Sequence, residues 1–361
     1  IITAVFAISY TVLAGMFSVV YTDVVNGVLM TVGILGALLF LIFHVGGLGE
    51  IAAVAESAGK WQLFGNWAAE RTGDISGPII AISFFVPTML LLMGDGNMYQ
   101  RIFSARDGGS AKKAVFFWII GVIVLESAIT MLGLTGAVAA AKGLIPDLVA
   151  DAQSALVNPT EGALLEARQA GSESVIPAIA RFAGLPIVLG ILLVSTMMAI
   201  IVSTADSFLL IPATNLTRDV YQRYIHPGAD ENQVLLISRG LVLVLGIIAF
   251  LLVSQFKTVL NAAFTAYNIY GTSITPALLA AFLWKRATAV GALASIVTGT
   301  SVTLIWTYVL PDWNGFTNMH PFLQELTYPA AGLSVLALVA GSLLTPAPPK
   351  ETWEPFFNDE D

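Results

Sequence analysis

The sequence predicts an all-α polytopic membrane protein, and three observations carry that expectation. Of 361 residues, 57% are hydrophobic and 11% are charged, whereas a soluble domain carries about 25% charged residues. The apolar residues fall in long runs, such as Val24–Phe43 and Val234–Val253, and roughly 20 apolar residues are needed to cross a bilayer as a helix. The short segments of alternating polarity that would mark a membrane β-barrel are absent. With no cysteine in the chain, disulfides and thiolate-bound metals are excluded. The net charge of −8 forms no basic patch that would hold a nucleic acid.

Nine spans are expected, at about 1–14, 17–43, 78–99, 114–141, 177–211, 234–255, 258–284, 288–310 and 327–345. The chain starts inside an apolar run with no Met or basic flank before it, so an N-terminally incomplete protein is expected. The second span is apolar except around Asp23. Residues 44–77 form a connection with an amphipathic piece, "IAAVAESAGKWQLFGNWAAERTGD". The third span ends in a glycine-flanked acid, and the fourth carries Glu126. Residues 142–176 are polar and broken by Pro146 and Asn158-Pro159. The fifth span holds a cluster of hydroxyls and an acid, and the seventh is half polar. Lys and Arg set the orientation. Arg101, Arg106, Lys112, Lys113, Arg218, Arg223, Arg239, Lys285 and Arg286 mark the cytoplasmic side by the positive-inside rule. Lys60, Arg71, Lys142, Arg168, Arg181 and Lys257 lie opposite, most of them in longer, acid-rich loops where charge matters less.

Four acids fall in or near the spans: Asp23, Asp95, Glu126 and Asp206. An ionised acid at the bilayer centre costs about 2.5–3.5 kcal/mol on insertion scales. No Lys or Arg is expected at comparable depth, so the countercharge would be a proton or a cation from solution. Each acid can also lie at a helix end, in water.

Three stretches concentrate polar chemistry. In "MMAIIVSTADSFLLIPATNLTRDVYQRY", Ser203 and Ser207 are four residues apart on one helix face, with Asp206 beside them and Thr204 at the edge. Hydroxyl and carboxylate oxygens suit a hard cation. Serine and threonine in such helices also bond the carbonyl one turn back or pack helices together. In "PTMLLLMGDGNMYQR", Gly94 and Gly96 flank Asp95. This is either an unwound point in a transporter helix or a plain helix end before Arg101. In "NAAFTAYNIYGTSITPALL", Gly271 and Pro276 would bend a span carrying Tyr267, Asn268, Tyr270, Thr272, Ser273 and Thr275. Its polar groups would hold a solute or join helices.

Taken in order, these stretches resemble the sodium:solute symporter family, which includes sodium–glucose, sodium–proline, pantothenate and sialic acid transporters. "GMFSVVYTDVVNGVLMTVG" is similar to its Trp-Thr-Asp-Val…Gln helix, with Tyr21 and Asn26 as departures. "NMYQRIFSARDGGSAKKA" resembles its Gln-Arg signature at the sixth core helix. "AIIVSTADSFLLIPATNLTRDVY" resembles its eighth core helix, including Asp219. "TPALLAAFLWKRATAVGALASIVTG" resembles its Pro…Trp-Lys-Arg…Gly-Ala pattern.

The resemblance implies a LeuT-like five-plus-five inverted repeat with extra C-terminal helices, its first three core helices expected before Ile1. Residues 1–345 would be the transmembrane symporter domain, unable to transport alone, and 346–361 a cytoplasmic tail. Ser203 and Thr204 align with the family's sodium-site hydroxyls, assisted by the Ile200 carbonyl. Asp23, Asp206 and Ser207 fall where some members hold a second sodium. Asp95 aligns near an Asn that binds sugar, and Asn268 aligns with a Gln of similar role; Asn97, Tyr99 and Tyr267 are further solute candidates. An acid at 95 departs from the sugar pattern and would either suit a cationic or zwitterionic solute or stay protonated as a donor. The implied function is sodium-coupled import of a small polar solute (sugar, amino acid or carboxylate) by alternating access, with Na+ as the bound ion. The protein would be multi-pass in the cell (plasma or inner) membrane. A solute sensor without net flux and a proton-coupled symporter are the alternatives. An intramembrane enzyme is disfavoured, because His44, His226 and His320 sit apart with no ligand spacing.

Overall fold

The computed structural model describes residues 2–57, 77–156, 161–256, 258–310, 319–354 and 357. Lys60, Glu70, Arg71, Asp74, Asn158, Pro159 and Lys257 lie outside the described residues. So do the amphipathic piece beyond residue 57 and residues 355, 356 and 358–361 of the tail. Every regular element among the described residues is helical. Among the described residues seven helical segments are long and apolar enough to cross a membrane: Tyr21–His44, Ala81–Phe103, Gly108–Ala141, Ile187–Ile225, Glu231–Val253, Ala289–Tyr308 and Thr327–Leu344. Their outward faces carry exposed Val, Ile, Leu and Phe in quantity. That surface suits lipid, where apolar exposure carries no penalty. This is a multi-pass integral membrane protein.

The chain divides into two compact units. The first comprises residues 1–58 and 99–259, the second 59–98 and 260–361. In the first, α1 (Ile2–His44) is one helix of 43 residues. The two spans expected at 1–14 and 17–43 are therefore continuous. Gly15 between them costs about 1 kcal/mol of propensity, which is too little to end a helix with apolar formers on both sides. At 1.5 Å per residue α1 is about 65 Å long, more than a bilayer's thickness. It stops where Gly46 and Gly47 take φ of 108° and 92°, and the Gly47 N–H bonds the Ile42 carbonyl at 2.8 Å. The Lys142 ammonium caps that end on the Val45 carbonyl at 2.6 Å. It also meets Glu50 of α2 (Leu48–Ser57) at 2.9 Å. That hydrogen bond and charge hold the Glu50 carboxyl below its ordinary value.

The unit continues with the end of α4 (Gly96–Phe103), α5 (Gly108–Ala141), and three short helices: α6 (Leu148–Ser154), α7 (Glu161–Glu173) and α8 (Val175–Phe182). Then come α9 (Ile187–Asn215), which runs on in π-helical turns to Ile225, and α10 (Glu231–Val253). The expected span at 177–211 is thus divided. Gly184 at φ 68° and Pro186 turn the chain between α8 and α9. The Thr196 hydroxyl of α9 bonds the Leu29 carbonyl of α1 at 2.9 Å, and Gly36 meets Leu189. Helices α1 and α9 therefore run antiparallel and in close contact. Ile34, Leu38, Leu41, Leu132, Val138, Ile179 and Leu193 form the apolar core beside them.

The second unit holds α3 (Gly77–Gly94) and a segment of α11 (Val259–Ile269), π-helical turns (Tyr270–Ile274) and α12 (Thr275–Leu283). Helices α13 (Ala289–Tyr308), α14 (Pro321–Gln324), α15 (Thr327–Leu344) and α16 (Lys350–Trp353) follow. Small residues four apart on α13, Gly291, Ser295 and Gly299, let neighbours approach at backbone distance. Ser295 and Ser334 of α15 share a hydrogen bond at 2.8 Å. A Cβ at Gly291 would lie 2.7 Å from the Leu338 carbonyl oxygen.

Gly291→Ala therefore forces α13 from α15, and overpacking of this kind costs about 1–3 kcal/mol. Gly240→Ala on α10, which meets nothing within 4 Å, should be neutral or stabilising. Thermal unfolding of both variants in detergent checks this, and equal behaviour would contradict the close packing.

Candidate cation and solute sites

In the first unit, α9 carries the hydroxyl cluster, and the helical offset divides it. Ser207 Oγ donates to the Ser203 carbonyl at 2.9 Å. Ser203 Oγ donates to Asp23 Oδ1 of α1 at 2.5 Å. Arg101 Nη2 of α4 donates to Asp23 Oδ2 and to Ser207 Oγ, each at 2.7 Å. Asp206 points elsewhere. It is buried and accepts a hydrogen bond from the equally buried Thr11 of α1. Thr204 is exposed and Ile200 half-buried. Glu126 is exposed on α5.

One expectation is overturned here. Asp23 was expected to lack a protein countercharge, yet Arg101 pairs with it. Depth read along the sequence places Arg101 past the end of its own span. A guanidinium on a long aliphatic stem reaches well beyond its Cα, and Asp23 lies in the part of α1 that α4 approaches. The sequence reading missed Arg101 and Thr11 as members of the cluster. Only the Gln-Arg signature pointed toward the first of them.

Serine 203 is tied into this network through its proton. Its hydroxyl proton is directed at Asp23. A hydroxyl oxygen can also accept, and Thr204 follows it on the helix.

In the second unit the helix is interrupted at Asp95 alone and resumes at Gly96. Of the two readings of the glycine-flanked acid, the broken helix is the observed one. Asp95 Oδ1 accepts from the Asn97 N–H at 3.0 Å and from Asn97 Nδ2 at 3.1 Å. It thereby caps α4. Oδ2 takes part in neither bond. The Gly96 N–H, freed by the break, reaches the Tyr270 hydroxyl at 3.4 Å.

Pro87 within α3 has no N–H for the Ser83 carbonyl, and the Thr327 hydroxyl of α15 supplies a donor at 3.0 Å. Thr327 also lies 2.9 Å from Asn268 Oδ1. Asn268 Nδ2 donates to the Phe264 carbonyl at 2.9 Å. Asn268 is buried, and its contact with Thr327 ties α11 to α15, so it joins helices whatever else it does. Tyr267 is half-buried and meets the Phe264 ring edge-on, 5.9 Å between centroids. Asp95, Asn97, Tyr267 and Asn268 belong to this unit. Tyr99 belongs to the first, beside Phe103 with ring centroids 6.1 Å apart.

A helix broken at an acid, π-helical turns facing it, and hydroxyls in an apolar helix are features of a secondary transporter rather than an enzyme. The chain belongs to the sodium:solute symporter family, whose model matches residues 1–299. It is 25% identical to the high-affinity proline transporter PutP of Bacillus subtilis over 100% of this chain and 68% of that one. It is also 25% identical to the sodium/proline symporter of Escherichia coli, over 92% of this chain and 60% of that one. Its fold matches that of a Na+-coupled sialic acid symporter in a substrate-bound outward-open state. The TM-score is 0.67 at 19% identity, covering 95% of this chain and 66% of that one. The chain thus spans about two thirds of the length of these relatives.

Thr327→Val keeps the shape but removes the hydroxyl that meets the Ser83 carbonyl and Asn268. Leaving a buried polar group unpaired costs about 1–3 kcal/mol. Thermal unfolding should show that loss in Thr327→Val and little change in Thr327→Ser.

Proposed function

We propose that the full-length protein imports a small polar solute with sodium by alternating access in the cell membrane, the solute being a zwitterionic amino acid. The observation that carries the reading is the directed Ser203 hydroxyl, whose proton goes to Asp23 while its oxygen stays open beside Thr204. Family membership supports sodium as the ion. In this reading Ser203 and Thr204 supply hydroxyl oxygens and Ile200 a carbonyl. The membrane potential adds about 2.3 kcal/mol per charge per 100 mV to loading from outside.

The solute class rests on Asp95. One carboxylate oxygen is held by the α4 N-terminus, and the other is available to a solute ammonium. Asn97, Tyr99, Tyr267 and Asn268 are the further solute candidates, Asn268 also serving as a helix contact. Two of the relatives are named as proline transporters, which favours an amino acid over a sugar.

Two measurements on full-length protein in proteoliposomes test this. Ser203→Ala with Thr204→Ala should abolish sodium-stimulated proline uptake; unchanged sodium dependence would remove both residues from the mechanism. Uptake that persists in sodium-free buffer and follows a pH gradient would replace sodium by protons. Asp95→Asn keeps the helix cap but loses the charge. A charge-assisted hydrogen bond is worth about 1.5–3 kcal/mol, so proline affinity should fall about 10- to 100-fold while unfolding temperature stays near that of the native protein. Unchanged affinity would put the ammonium elsewhere.

A further inference from the structure

The stretch after α15 carries none of the site candidates, yet it folds back onto the second unit. Pro346, Pro348 and Pro349 stiffen its first part, and Pro349 has φ −55° and ψ 145°, in the polyproline region. Helix α16 ends on Trp353, whose ring meets that of Phe357 edge-on, 6.1 Å between centroids. Lys285, in the turn between α12 and α13, places its ammonium 5.1 Å from the Trp353 centroid and 5.2 Å from the Phe357 centroid. Both distances fall within the ~6 Å over which a cation is drawn to a ring face. Glu354 is paired with Lys350 at 3.1 Å, so it is the rings that receive Lys285. The same turn is fastened to the end of α15. Arg286 Nη2 donates to the Thr345 carbonyl at 2.6 Å, and the Thr288 and Thr345 hydroxyls share a hydrogen bond at 2.9 Å. Those bonds are half-buried, whereas Lys285 is exposed.

We propose that residues 345–357 form a strap that closes over the α12–α13 turn through Lys285, and that the closed strap restrains turnover. The strap acts on α12. The nine residues of that helix span about 13 Å at 1.5 Å each, from the Lys285 turn back to Thr275. Thr275 holds the Leu90 carbonyl of α3 at 2.7 Å, and Tyr270 of the π-helical turns before it receives the Gly96 N–H. The strap therefore grips the far end of the element that holds the helix break. Its bearing on turnover rests on the transport reading above: an alternating-access cycle has to shift the elements around the break, and a tether at the end of α12 slows that shift. The tether is a reversible one. Two exposed contacts between a cation and a ring favour the closed strap by about 5- to 30-fold, and at such a ratio a minority of molecules is open at any time.

Two measurements on full-length protein test this. The first is the rate of tryptic cleavage after Lys350 in detergent, read by mass spectrometry, since cutting follows the open population when opening is fast. Lys285→Gln should speed this cut about 5- to 30-fold. Trp353→Ala should speed it as well, and the double variant should be little faster than Lys285→Gln, because both changes break one contact. Lys285→Arg, which keeps the cation, should be cut at the native rate. The second is sodium-driven proline uptake in proteoliposomes. Conformational steps often limit turnover, so Lys285→Gln should raise Vmax at least about 2-fold with KM unchanged, and Lys285→Arg should match the native protein. A cut rate that Lys285→Gln does not move would overturn the strap and put the two rings elsewhere, as in lipid headgroups. Faster cutting with an unchanged or lower Vmax would overturn the restraint. No sodium-driven uptake by the native protein would overturn the transport reading and the restraint with it, while the cleavage rates would still decide whether the strap exists.

Discussion

A carbonyl with no amide to meet it is costly inside a lipid-spanning bundle, and Pro87 creates one at Ser83. Hydrocarbon offers no substitute partner, so irregular backbone persists only where protein groups complete it. The second unit is organised around that requirement. Thr327 reaches the Ser83 carbonyl, Thr275 reaches the Leu90 carbonyl at 2.7 Å, and Tyr270 receives the Gly96 N–H. These contacts come from α15, α12 and the π-helical turns. The broken helix and its neighbours are consequently held in one register, and Asp95 is held at the break.

Close approach is the second half of the same constraint. A Cβ at Gly271 would lie 2.9 Å from the Pro87 carbonyl oxygen, and one at Gly299 would lie 2.8 Å from that of Thr272. Glycine at these positions lets α3, the π-helical turns and α13 meet backbone to backbone, at which range short hydroxyl side chains can reach carbonyls on the next helix. Helix packing in lipid depends on such fits because burying apolar surface yields little there. The polar groups flagged as a solute face and the polar groups that join helices are partly the same residues. Asn268 is the clearest case.

The first unit handles charge instead of backbone. Asp23, Arg101, Ser203 and Ser207 form a neutral network in which every hydroxyl proton has a direction. A neutral network is cheaper in lipid than a lone carboxylate.

Composition and run length alone determined that the chain is helical and crosses a membrane many times, since a bilayer admits few backbone solutions. The seven candidate spans each overlap a stretch read from sequence. The motif order determined the family, because the Gln100-Arg101 pair, the Ser203–Thr204 pair and the Trp284-Lys285-Arg286 run are local patterns. Only the tertiary structure decided which acid has a partner. Arg101 and Asp23 are 78 residues apart, and Thr11 and Asp206 are 195 apart; no periodicity links them. It also decided that α1 is continuous through Gly15, where propensity is too weak a term to settle the matter. The division of Ser203, Asp206 and Ser207 between two sets of partners was likewise beyond the sequence. Spacing gives the face a residue occupies on its own helix, whereas packing decides what that face meets.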